Sequence, residues 1–88
     1  LLAVTHDDTT ADIDWLVRKI LNMRIFGDDQ SFSEQCVQDI RGEILVVSQF
    51  TLYGDIRKGN RPSWTRSAPP EIAKPLYQKF TEQIRESG

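Results

Sequence analysis

The side chains able to do chemistry crowd into one stretch, SQFTLYGDIRKGNRPSW, Ser48 to Trp64. Its first part sets Ser48, Gln49 and Thr51 among Phe50 and Leu52; its second carries Arg57, Lys58 and Arg61, with Arg66 just beyond, against the single acid Asp55. On a strand running regularly through Tyr53, alternate residues share a face. Ser48, Phe50 and Leu52 then point one way and Gln49, Thr51 and Tyr53 the other. Gln49 and Thr51 project side by side, about 6.5–7 Å apart. Such a pair can orient a substrate by hydrogen bonds, and backbone N–H groups freed at a strand end can bind an oxyanion. The same residues also suit a plain strand, because threonine favours β structure and glutamine tolerates an exposed face. The loop cations fit phosphate contact or a solvated turn equally. Gly54 and Gly59 allow tight turns or close approach of another chain, and Pro62 stiffens the exit. Trp64 either stacks on a base or anchors local packing.

Other chemistries have less to work with. His6 is the one histidine and Cys36 the one cysteine, so no His/Cys ligand set for a metal exists. Asp7-Asp8 and Asp28-Asp29 are adjacent carboxylates in turn-like contexts, where they favour the turn or cap a helix. A nucleophilic triad would have to recruit His6, some forty residues from the serine-bearing strand, and Cys36 has no neighbouring lysine or histidine to activate it. The five glycines are too scattered for a phosphate-cradling loop. No metal and no cofactor is expected.

Two helices and a strand must position the stretch. Ile13, Leu16, Val17, Ile20 and Leu21 fall at helical spacing and predict an amphipathic helix over Ala11–Met23. Thr9 or Thr10 is its N-cap, with Asp12 placed for a capping box. Ile72, Leu76, Phe80 and Ile84, flanked by Ala73 and Tyr77, predict a second helix, with Ser67 as N-cap ahead of Pro69-Pro70-Glu71. Pro75 is harmless there only if that helix starts near Ile72. Leu1–Val4 reads as a short strand, Arg24–Phe26 as a brief one closed by Gly27-Asp28-Asp29, and Ser31–Ile40 as loop with one helical turn. Glu43–Tyr53 is rich in Ile, Val, Leu, Phe and Tyr, apolar on both faces in its first half, and so reads as a central strand. Layered helices and strands make an α+β or α/β domain.

The bulk properties agree with one small domain spanning residues 1–88. A net charge of −2 excludes nucleic-acid binding by overall charge. A local basic patch remains effective, because fields act over roughly a Debye length, about 8–10 Å. One cysteine forms no internal disulfide, which suits a reducing compartment. LLAVTHDDTT lacks the basic start of a signal peptide. No apolar run approaches the ~20 residues of a membrane span. A soluble, cytoplasmic protein is expected. The abrupt apolar opening and the helix exit at RESG read as a piece of a larger domain.

The whole pattern resembles the D-aminoacyl-tRNA deacylases (D-tyrosyl-tRNA deacylases). SQFTL followed by KGNRPS, with VRKILNMRIF before and APPEIAKPLYQKF after, carries the likeness from VTHDDT to the last helix. The resemblance implies a β-sheet or barrel-like core packed with two amphipathic helices, incomplete in this chain. It implies a cytoplasmic homodimer that hydrolyses the ester between a D-amino acid and the 3′ end of tRNA, clears mischarged glycine as well, and uses no metal. By the same resemblance Thr51, Gln49 and Phe50 are catalytic. Thr51 orients the substrate while the tRNA 2′-hydroxyl assists the attack, and backbone groups of Gln49 and Phe50 steady the oxyanion or anchor the substrate. Ser48 and Leu52 bind substrate, and Arg57, Lys58 and Arg61 contact tRNA. Two family features do not occur in this sequence: a Gly-Pro motif that selects the D-configuration, and the strands that precede LLAV. The alternative is a non-catalytic nucleic-acid-binding module, since some relatives are linked to DNA-unwinding elements.

Overall fold

The computed structural model describes residues 1–27 and 34–88. Its framework is a pair of packed helices, α1 (Thr10–Asn22) and α2 (Pro70–Glu86). Both fall within two residues of their predicted starts. Thr9 is the N-cap of α1, and the Asp12 carboxylate reaches back to accept from the Thr9 N–H (2.8 Å) and hydroxyl (3.3 Å). That satisfies one donor that no helical carbonyl can reach.

The predicted apolar stripes meet face to face. Ile13 and Val17 of α1 and Phe80 of α2 are buried together, with Leu16, Ile20, Leu21, Leu76 and Ile84 packed around them. Leu2 and Val46 close the cluster from the adjoining chain. At the helix interface Gln83 donates to Asp14 (2.8 Å), while the Tyr77 hydroxyl donates to the Val46 carbonyl (3.2 Å) and ties α2 to that segment. Ile72 keeps to the helical period but is 39% exposed and lies outside the packed cluster.

Two expectations about α2 fail. Its N-cap is Pro69, and the Ser67 hydroxyl is spent elsewhere. Pro75 lies inside the helix, the sixth residue from Pro70, past the turn where a missing N–H goes unnoticed. The helix continues through it: the Glu71 carbonyl loses its donor, and Glu71 is exposed, so water can serve it.

The expected sheet is reduced to single bridges among the described residues. Leu2 pairs in parallel with Ser48, its N–H donating to the Val47 carbonyl and its carbonyl accepting from Gln49 N–H, both at 2.8 Å. Thr5 pairs with Ser67, Phe26 with Gln35, and Asp55 with Ser63, all antiparallel. Leu1–Val4 and Arg24–Phe26 therefore each contribute one bridge rather than a strand. One turn forms after Cys36, whose N–H and thiol both donate to Asp39 (3.0 and 3.1 Å). These two contacts, the N–H first, hold the Asp39 carboxyl below its usual range. Asp28, Asp29 and the first residues of the predicted loop from Ser31 lie outside the described residues. Along 44–47 the chain alternates: Ile44 and Val46 are half-buried, whereas Leu45 is 86% and Val47 43% exposed. One face of that segment is covered and the other is not.

The largest correction falls on the SQFTL stretch. Of the central strand predicted over Glu43–Tyr53 only the single bridge at Ser48 forms, and Phe50–Tyr53 is a turn of 3₁₀-helix. Three residues per turn replace the two-residue alternation. Gln49 and Thr51 therefore do not share a strand face.

Candidate functional site

The 3₁₀ turn is held by contacts from distant sequence. Ser67 Oγ donates to the Phe50 carbonyl (2.7 Å), and the Phe50 ring meets Trp64 edge-on with centroids 5.9 Å apart. Gly54 N–H donates to the Thr51 carbonyl (2.9 Å) and Leu52 N–H to that of Gln49 (3.3 Å). A Cβ on Gly54 would lie 3.1 Å from the Thr51 oxygen and 3.2 Å from the Trp64 indole nitrogen. Glycine there lets the indole close on the turn. The carbonyls of Gln49, Phe50 and Thr51 are thus engaged. The N–H groups of Phe50 and Thr51, by contrast, have no acceptor among the described residues. Two adjacent unpaired donors at the start of a turn present positive potential to whatever lies before them. Gln49 does not add a third, because its N–H is committed to Leu2.

Two recesses flank the turn. The first, about 650 Å³, is mainly apolar; Ser48, Phe50, Trp64, Ala68 and Tyr77 line it, and among the described residues Lys74 is its one charged side chain. Trp64 is 40% exposed. The indole therefore both packs on Phe50 and forms part of the recess wall, so the two readings open from sequence are not exclusive. The second recess, about 420 Å³, is lined by Leu52, Tyr53, Asp55, Ile56, Arg57 and Arg66. Ser48 and Phe50 face one recess and Leu52 the other, while Gln49 and Thr51 line neither. Thr51 is exposed and Gln49 half-buried.

The basic loop is closed by reciprocal Asp55–Ser63 backbone bonds (2.7 and 2.8 Å). Gly59, at φ +86°, supplies a left-handed residue within it. Asp55 accepts from the Arg57 backbone N–H (3.0 Å) and grips the guanidinium through Nε (3.0 Å) and Nη2 (2.6 Å). The Arg57 side-chain hydrogen bond, followed by its backbone N–H, brings the Asp55 carboxyl down to about 2. Arg57 is correspondingly raised. Lys58 and Arg61 are exposed, and neither has a carboxylate partner among the described residues.

Several residues of the site carry no local signal. Ser67 lies 17 positions from the carbonyl it holds, and its sequence context suggests only a helix cap. His6 Nε2–H donates to the Thr65 carbonyl (2.7 Å), and Thr5 Oγ1 donates to the Arg66 carbonyl. The lone histidine therefore tethers the 65–67 segment. Cys36 is buried and donates to Asp39, away from the turn. Among the described residues no group of His, Cys, Asp and Glu gathers to hold a metal ion.

The family model described as D-Tyr-tRNA(Tyr) deacylase matches residues 1–88. The chain belongs to the D-Tyr-tRNA(Tyr) deacylase family. Within it, the D-aminoacyl-tRNA deacylase of Trichodesmium erythraeum (strain IMS101) is 57% identical over 91 residues, taking in 100% of this chain and 60% of that protein. The D-aminoacyl-tRNA deacylase of Clostridioides difficile (strain 630) is 51% identical over 88 residues, 100% of this chain and 59% of the relative. This member of the D-Tyr-tRNA(Tyr) deacylase family thus spans about 60% of the length of the curated relatives it matches. A solved structure titled c-Myc DNA Unwinding Element Binding Protein superposes with a TM-score of 0.87 at 40% identity, over 98% of this chain and 58% of that one.

Proposed function

We propose that the protein hydrolyses the ester of D-aminoacyl-tRNA, and of mischarged glycyl-tRNA, releasing the amino acid and tRNA. The observation that carries this reading is family membership across all 88 residues, with relatives named D-aminoacyl-tRNA deacylases at 57% and 51% identity. The site fits the chemistry. Ester hydrolysis needs an aligned water and donors aimed at the developing oxyanion. The unpaired N–H groups of Phe50 and Thr51 are such donors, and the Thr51 hydroxyl orients the substrate at the mouth of the turn. Ser48 and Leu52, on opposite sides of that turn, contact the substrate flanks. Of the loop cations, Lys58 and Arg61 meet the tRNA backbone, while Arg57, held by Asp55, shapes the loop. The sheet of the family fold is part of this reading, supported by the Leu2–Ser48 pairing and the uncovered Leu45 face. So are the homodimer and a cytoplasmic location; among the described residues, no helix is long and apolar enough to cross a membrane. The deciding measurement is release of D-tyrosine from D-Tyr-tRNA by the full gene product. Absence of turnover on both D-Tyr-tRNA and Gly-tRNA overturns the proposal.

One observation favours a second reading. The similar solved structure carries a title naming a DNA-unwinding-element binder. Tight duplex DNA binding with a steep salt dependence, together with unchanged lifetimes of tRNA esters, would decide for a non-catalytic module.

A further inference from the structure

The recess on the far side of the turn from Phe50 is lined by two guanidinium groups, and they are not equivalent. Arg57 spends its charge on Asp55 through Nε and Nη2 contacts of 2.6–3.0 Å. Arg66 lies with its guanidinium carbon 5.5 Å from the centroid of the Tyr53 ring, and no carboxylate is within ion-pair distance of it among the described residues. Its main chain is anchored, because the Arg66 carbonyl accepts from Thr5 Oγ1 and the next residue, Ser67, holds both the Thr5 bridge and the Phe50 carbonyl. The recess therefore holds two cations against one acid, and that acid is already taken. A guanidinium over an aromatic ring keeps its edge donors free and loses little freedom when it binds. Those donors match the paired oxygens of a phosphate.

We propose that Arg66, stacked on Tyr53, forms a subsite for a backbone phosphate of the polynucleotide on which the neighbouring turn acts. The subsite rests on the deacylase reading above, and it adds Arg66 and Tyr53 to that reading. The turn Phe50–Tyr53 is the shared wall: Phe50 faces the apolar recess, and Leu52 and Tyr53 face the cationic one. A substrate lying across the turn places its ester before the Phe50 and Thr51 N–H groups and a phosphate beside Arg66.

The test uses the full gene product and uncharged tRNA, with affinity measured across a salt series for wild type, Arg66→Gln, Arg66→Lys and Arg57→Gln. Arg66→Gln should weaken binding about tenfold and flatten the slope of log K against log salt by roughly 0.7–0.9, the share of one phosphate contact. Arg66→Lys should recover the slope and only part of the affinity, and Arg57→Gln should weaken binding less than Arg66→Gln. Unchanged affinity and slope in Arg66→Gln overturn the subsite, as does failure of the wild type to bind tRNA. Displacement of tRNA by millimolar inorganic phosphate in the wild type but not in Arg66→Gln would assign a free-phosphate site instead. A parallel assay on D-Tyr-tRNA separates the two proposals. Binding that depends on Arg66 without hydrolysis removes the deacylase reading alone, whereas hydrolysis with an unaltered KM in Arg66→Gln removes the subsite alone.

Discussion

At the scale of single residues, the site depends on which polar groups are already engaged. Thr51 combines an exposed side chain with an N–H that lacks an acceptor. On the proposed deacylase reading, replacing Thr51 by alanine removes an orienting hydroxyl and keeps the N–H donors, so kcat on D-Tyr-tRNA should fall about 10–100-fold while the fold is retained. Equal rates would remove the hydroxyl from the mechanism. Asp55 is the converse case, a group wholly spent on its neighbour. Its carboxyl is lowered from 3.8 to about 2. The ionised form is therefore the one the fold favours, and what the Asp55–Arg57 contact contributes is present in full above pH 3.8. It is lost as the pH falls through about 2. The Arg57 Nε–H resonance should hold its shift from neutral pH down to about 4 and move toward the unfolded value only below it. A midpoint near the ordinary aspartate value would show that the grip is not maintained in solution.

At the scale of elements, the turn and the entrance of α2 act as one unit. The helix periods were legible because Ile13, Val17 and Phe80 repeat on stripes that any partner would cover. The 3₁₀ turn was not legible. SQFTLY has the composition of a strand, and its departure from extended backbone depends on Ser67, Trp64 and Gly54, which meet it only in three dimensions. Ser67 likewise reads as an N-cap from its position before Pro69-Pro70, yet its hydroxyl goes to Phe50. Ser67→Ala should leave α2 helical, since the serine does not cap it, and should lower stability by about 0.5–1.5 kcal/mol for one lost hydrogen bond. Turnover should drop more than stability accounts for, because the Phe50 carbonyl sits next to the unpaired N–H of Thr51. Loss of helicity by circular dichroism, with turnover preserved, would restore the capping role.

At the scale of the whole molecule, stability is concentrated in a small contact. Phe80 is 4% exposed and packs with Ile13 and Val17, and these three residues make up the buried cluster between the helices. Phe80→Ala should cost about 3–5 kcal/mol, a large share of the roughly 5–15 kcal/mol that holds a domain together. The midpoint of urea unfolding should fall accordingly; a loss below about 1 kcal/mol would place the core elsewhere. The superposition on a solved structure at a TM-score of 0.87 agrees with this helical frame. What the residues determined by themselves was the pair of amphipathic helices, the capping box at Thr9, and the gathering of polar and basic groups between Ser48 and Arg66, because each follows from local spacing and composition. Only the tertiary structure decided that Phe50–Tyr53 coils into a 3₁₀ turn, that Arg57 is consumed by Asp55 while Arg66 rests on Tyr53, and that Ser67 serves the turn. Those outcomes depend on long-range partners competing for the same few donors and acceptors, and a linear pattern does not record which partner wins.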